Sequence, residues 1–209
     1  MAPEPTIQRF SRTERALHWV HASAFLVLLG SGLVLYLPRL SELVARRQLV
    51  KDVHLYTGLA WAVLIALLLL LGLRHGLRRT IGELERFDAD DLRWLLHRGG
   101  RAGRFNAGQK LNAIATTAFA MLFAVSGFLL WYGERDTRFR LGSAVILHDA
   151  LTYLSLLLLV GHLYLAVIHP RTRHALRGIT RGTVEEQWAL EHHSKWAAPL
   201  VSRREHHRS

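Results

Sequence analysis

Cysteine is missing from all 209 residues. That absence removes disulfides, thiolate-held iron–sulfur clusters and thioether-linked haem, so a redox centre in this chain would have to be held by histidine. Neither a glycine-rich phosphate loop nor a dinucleotide fingerprint occurs, which leaves no visible nucleotide site or substrate-dehydrogenase site. Charge is missing from four long stretches: residues 17–37, 53–73, 111–132 and 141–168 contain no Lys, Arg, Asp or Glu apart from Asp149. Each can cross a hydrocarbon layer, which needs roughly 20 helical residues. The first run is longer than the apolar region of a signal peptide and lacks its small-residue cleavage site. The pattern predicts an all-α membrane protein, a four-transmembrane-helix bundle with helices over about 17–37, 53–73, 111–132 and 144–168.

Acidic residues are scarce, 16 against 27 Lys and Arg, giving a formal charge of +11. The distribution of that charge argues against nucleic acid as the partner. Three basic residues precede the first span, nine lie between the second and third, and eight follow the fourth; the other two loops hold four and three. A bias of 20 to 7 across alternate loops is the positive-inside pattern, which predicts both termini in the cytoplasm and basic contacts to anionic lipid. The chain therefore divides into a cytoplasmic segment 1–16, a membrane domain 17–168 and a basic cytoplasmic tail 169–209.

Within the apolar spans, histidine stands out. His148 and His162 are fourteen residues apart on the fourth span. At about 100° and 1.5 Å per residue they face nearly the same way, roughly 21 Å apart along the axis. His18 lies at the inner start of the first span, and His54 at the outer start of the second. Depth thus pairs His54 with His148 near the outer face and His18 with His162 near the inner face. The second and fourth spans read as weak internal repeats in which Leu68 stands where His162 does, so the second inner ligand has to come from the first span. Two facing imidazoles suit a low-spin haem b, whose axial positions are both filled by protein and which carries electrons without binding substrate. Zinc or copper would ask for ligands closed into one site.

His21, one turn from His18, is an alternative inner ligand, and His169 continues the stripe of the fourth span to the interface before Pro170. The remaining histidines, His75, His97, His174, His192, His193, His206 and His207, fall in hydrophilic segments and are expected to be solvated. Gly30-Ser31-Gly32 thins the first span and is read as a helix-packing feature. Residues 39–52 are expected to form a short outer loop. Residues 88–97 read as a short amphipathic helix opened by an Asp cap, followed by a flexible end at Gly99, Gly100 and Gly103, and Asn106 reads as the N-cap of the third span.

Taken together, the stretch Arg15-Ala16-Leu17-His18-Trp19, the opening Asn106-Ala107-Gly108-Gln109-Lys110 of the third span, the His148 to His162 spacing, and the tail motifs Gly178, Gly182-Thr183-Val184, Trp188-Ala189, His192-His193 and Lys195-Trp196 resemble the cytochrome b (gamma) subunit of membrane-bound respiratory formate dehydrogenase. The resemblance spans nearly the whole chain. It implies a dihaem subunit of the bacterial cytoplasmic membrane, with two haems b on His54/His148 and His18/His162. It implies partnership with an iron–sulfur subunit and a molybdenum or tungsten catalytic subunit. It also implies a quinone beside the inner haem, near His162, Asn106, Gly108 and Gln109, and a tail packed under that haem. Related anchors serve hydrogenases and sulfur-compound or molybdopterin oxidoreductases. A free-standing cytochrome, and a haem-free histidine-lined metal or proton transporter, are the other readings of the same histidines.

Overall fold

The structure, a computed structural model, describes residues 4–74 and 77–206. His75 and His207 lie outside the described residues. The chain is mostly helical and contains four helices long and apolar enough to cross a membrane, at Arg12–Tyr36, Arg47–Gly72, Ala107–Gly133 and Gly142–Ile168. Along these helices large apolar side chains are exposed, among them Val63, Leu70, Met121, Ile146 and Leu157. Continuous exposed apolar surface of this kind fits lipid. The chain divides into two compact units, one of residues 13–77 and one combining residues 1–12 with 78–209.

The first unit contains α1 (Arg12–Tyr36), α2 (Pro38–Val44) and α3 (Arg47–Arg74). The expected outer loop 39–52 is mostly helical. Pro38 at the first position of α2 fixes a helical φ where no N–H bond is needed, and Ala45 closes α2 in the left-handed conformation, φ 51°. The chain re-enters helix at Arg47, six residues before the hydropathy pattern begins, and the Arg47 guanidinium donates to the Leu35 carbonyl at 3.0 Å. Hydropathy did not show this turn because Arg47, Gln48, Lys51 and Asp52 outweigh Leu49 and Val50 in it.

The second unit contains α4 (Leu77–Glu85, from its second residue), α5 (Ala89–Leu95), α6 (Ala107–Gly133), α7 (Gly142–Leu163) and the tail helices α8 (Leu176–Arg181), α9 (Glu186–His192) and α10 (Ser194–His206). α6 and α7, joined by a short connection, pack as an antiparallel pair. α7 continues into a π turn, Tyr164–Ile168, in which the His169 N–H donates to the Tyr164 carbonyl at 2.9 Å. Both expected caps are present. Asp88 caps α5, and Asn106 caps α6 in a reciprocal box with Gln109, with bonds of 2.9 and 3.0 Å. Gly99 does turn through the left-handed region, φ 76°, but Gly100 lies against the Asp90 carbonyl and the Trp94 N–H, so this end is packed rather than flexible.

The best-buried part of this unit is a cap at one end of the α6–α7 pair. Strand β1 (Thr6–Gln8) pairs antiparallel with β2 (Thr183–Glu185), in the register Ile7 to Val184. Ile7, Val184, Trp188, Ala189 and Ala197 form its core. The N-terminal segment, the loop before α6 and the tail are thus gathered at a single end of the α6–α7 pair.

Arg9 ties these three segments together. Its guanidinium is 2% exposed and one nitrogen, Nη2, donates to the Arg104 carbonyl at 2.9 Å, His193 Nε2 at 3.0 Å and Gln109 Oε1 at 3.3 Å. Phe10 and Trp188 lie 5.1 and 5.4 Å from its carbon. His193 is likewise 2% exposed, contrary to the solvated role expected of it. Its Nδ1–H donates to the Gly103 carbonyl at 2.7 Å, which leaves Nε2 to accept from Arg9, so the ring is neutral and satisfied on both sides. His192 stacks on Trp188 at 5.0 Å and is half-buried, while His97, His174 and His206 are exposed as expected.

Burial, together with the Arg9 charge, pushes the His193 pKa down from 6.5 to about 3. The unfolded chain therefore binds a proton at His193 that the folded cap excludes between about pH 6.5 and 3. Stability falls as pH drops through that window, by up to about 1.4 kcal/mol per pH unit for one proton. Limited proteolysis of the tail should accelerate from pH 7 to pH 5, and His193→Gln should flatten that dependence.

Candidate functional site

The four apolar helices carry five histidines, and each of the two units holds a widely spaced pair of those expected as ligands. On α1, His18 precedes Ser31 by thirteen residues, about 20 Å along the axis, and Ser31 Oγ is 2.9 Å from His54 Nδ1 on α3. Within the first unit, His18 and His54 are therefore held about 20 Å apart in level. In the second unit, His148 and His162 are about 21 Å apart on α7. The separations match, although the two units reach them differently, one across two helices and one along a single helix.

His54 and His148 share a serine and a glycine around the ring, and His54 in addition bonds the Leu28 backbone. Ser126 Oγ on α6 lies 2.9 Å from His148 Nδ1, as Ser31 Oγ does from His54 Nδ1. Each serine is followed by a glycine against the ring: a Cβ on Gly32 would lie 3.4 Å from His54 Cε1, and one on Gly127 3.6 Å from His148 Cε1. Phe123 meets the His148 ring edge to face at 5.0 Å. The serines were not foreseen as partners of these rings. The signal was nevertheless present, as the dipeptide Ser-Gly recurs at 31–32 and 126–127, 23 and 22 residues before each histidine.

His18 packs edge to face on Trp19 at 5.3 Å. His21 is differently committed. The Trp61 indole N–H donates to His21 Nδ1 at 3.3 Å, which puts the ring proton on Nε2. His162 is exposed on α7, just before the π turn. That wider turn breaks α-helical phase, so His169 does not simply continue the stripe of His148 and His162; it bonds Thr172 Oγ1 at 3.2 Å and packs on Tyr164.

Asn106, Gly108 and Gln109 stand together at the start of α6. Counting from Ser126, which is level with His148, Gln109 lies about 26 Å along the pair and His162 about 21 Å, so they share one end. The amide oxygens of Asn106 and Gln109 accept the capping bonds, and Gly108 lies under the Trp94 ring, 3.1 Å from where its Cβ would be. Lys110 is buried and donates to Asp91 at 2.6 Å and to the Arg86 carbonyl at 2.7 Å. Every residue of this opening thus has a fixed place in the structure.

With this geometry in hand, comparison with known proteins is decisive on one point. The family model of prokaryotic cytochrome b561 matches residues 9–182. The chain belongs to that family. It is 26% identical over 204 residues to the formate dehydrogenase cytochrome b556(fdo) subunit of Escherichia coli K12, covering 94% of each chain. It is 24% identical to the formate dehydrogenase cytochrome b556 subunit of Haemophilus influenzae, covering 91% of this chain and 82% of the relative. The nitrate-inducible cytochrome b556(Fdn) subunit of Escherichia coli K12 is 22% identical over 94% of this chain. The resemblance read from the sequence is borne out, and the family makes this a multi-pass bacterial membrane cytochrome that uses haem b.

The residues fit such a group. Five imidazoles lie in the apolar helices, and glycine beside each of two rings leaves room for a flat macrocycle. Among the described residues no cluster of three or more His, Asp or Glu could hold a metal ion, as a zinc or copper site would require. Gly127→Ala and Gly32→Ala should be tolerated, because the new methyl meets the ring near ordinary contact distance. Gly127→Leu and Gly32→Leu should push the rings aside and lower the haem-to-protein ratio of the purified chain.

Proposed function

We propose that this chain is the membrane-anchoring dihaem cytochrome b subunit of a respiratory formate dehydrogenase-type complex, passing electrons from an iron–sulfur partner subunit across the membrane to quinone. The observation that carries the reading is the matched separation, about 20 Å in each unit, between two imidazoles in an apolar setting. In this reading His54 and His148 would supply the two nitrogen ligands of one low-spin haem, and His18 and His162 those of the other. A haem b so held supplies a one-electron carrier with no open coordination position. The partner subunits, including a molybdenum or tungsten catalytic subunit, are inferred from the relatives' names and the shared tail motifs.

His18 is preferred to His21 as the inner ligand of the first unit. His21 accepts from Trp61 at Nδ1 and carries its proton on Nε2, so neither nitrogen offers a lone pair without breaking that bond. In the second unit, the amide NH2 groups of Asn106 and Gln109 would serve as donors to a quinone carbonyl, their oxygens being held by the helix cap. His162 lines the same site in this reading, and the cap built on Arg9 closes it off from water. Reduction of a quinone to quinol consumes two protons along with two electrons, and the charge bias supports a cytoplasmic position for this end of the protein. Taking protons there while oxidation proceeds at the other face separates charge.

Redox titration of single variants tests the assignment. His54→Ala and His148→Ala should each abolish the same one of two haem redox steps, His18→Ala and His162→Ala the other, and His21→Ala neither. Loss of different steps in His54→Ala and His148→Ala would break the pairing. Asn106→Asp keeps the cap oxygen but removes the donor. It should slow quinone reduction roughly tenfold, the effect of losing one hydrogen bond of about 1–1.5 kcal/mol, with both redox steps intact.

A further inference from the structure

The two Ser-His contacts have a definite polarity. Ser31 Oγ lies 2.7 Å from the Val27 carbonyl and Ser126 Oγ 2.8 Å from the Leu122 carbonyl, each one helical turn back. A carbonyl can only accept, and a hydroxyl has one proton to give, so each serine donates to its own helix. The serine oxygen is then an acceptor towards the histidine. His54 and His148 must therefore carry their protons on Nδ1, which assigns the lone pair of each ring to Nε2.

We propose that Ser31 and Ser126 are positioning residues that fix the tautomer, rotation and donor strength of His54 and His148; the inference rests on the reading of those histidines as axial ligands. A serine that bonds back to its own helix is common in apolar helices and by itself needs no further role. Here the arrangement occurs twice, with the same atoms, the same distance of 2.9 Å and the same glycine following. Both members of one proposed ligand pair have it.

The chemical consequence is graded. An acceptor on Nδ1–H pulls the proton outward and makes Nε2 a better electron donor, which favours the oxidised iron. A serine oxygen, neutral and already giving its own proton to a carbonyl, does this less than a carboxylate would. It also holds the ring without bringing a charge into the apolar phase. Gly32 and Gly127 let the serine helix come close enough for the bond while keeping the ring edge clear.

The test is a potentiometric titration, with haem counted by pyridine haemochrome, on the full-length chain and its Ser31→Ala, Ser126→Ala, double-alanine and Ser→Thr variants. Each alanine variant should retain two haems and shift one midpoint potential upward, the same step that His148→Ala abolishes. The double variant should shift it further, and threonine, which restores the hydroxyl, should return it towards wild type. If an alanine variant sheds one haem, retention in the threonine variant supports the same role. Unchanged potentials with both haems retained, equal behaviour of Ala and Thr, or a shift confined to the other step would overturn the proposal. Failure of the underlying reading looks different: His54→Ala and His148→Ala would then keep both haems.

Discussion

A ring nitrogen carried into an apolar helix has to find a hydrogen-bond partner, because an unsatisfied polar group there costs several kcal/mol. That requirement organises both helical pairs. α1 serves α3 through Ser31, and α6 serves α7 through Ser126, each serine completing its own bond to a carbonyl one turn back. One nitrogen of each histidine is thereby settled within its own unit, and the chemistry of the other is set by the tautomer. His21 shows the opposite outcome under the same rule. Its partner, Trp61, is a donor, so the proton sits on the other nitrogen. His21 and His54, one helix apart, are thus made chemically different by what stands beside them.

The cap obeys a related constraint on charge. Arg9 is buried without a carboxylate, its Nε and Nη1 have no hydrogen-bond partner among the described residues, and its pKa is lowered to about 10 by burial and by Arg104. What holds it is a set of three neutral acceptors from two remote segments and two aromatic faces. Arg104, its neighbour, is anchored in turn on Glu83 at 2.6 Å and Thr80 at 2.7 Å. A cation satisfied this way links the N-terminus, the opening of α6 and the tail, so the residues proposed to meet quinone are built into the same network as both chain ends. This gives the tail a structural reason that its composition alone does not provide.

The spans, the caps at Asp88 and Asn106 and the hydrophilic ends were legible in the sequence because they rest on local rules: run length, charge asymmetry and a polar side chain three residues before its partner. The spacing of His148 and His162 was legible for the same reason. The Arg9–His193 contact joins positions 184 apart and follows no local pattern, which is why His193 read as solvated. The helical turn at Arg47 was masked by polarity, and the π turn after α7 leaves no mark in hydropathy. Ser31 and Ser126 lie between these cases. Ser31 alone read as ordinary helix packing and Ser126 carried no reading of its own; only the repetition of Ser-Gly at a nearly constant distance from a histidine distinguishes them.

The central claim, two imidazole-ligated haems in one chain, is tested most directly by counting. Full-length protein purified from cells with ample haem would be assayed for haem b per polypeptide, with the reduced and oxidised visible spectra taken on the same sample. The account predicts two haems b per chain, both low-spin in each oxidation state. One haem per chain, or a high-spin spectrum with an open axial position, would contradict it.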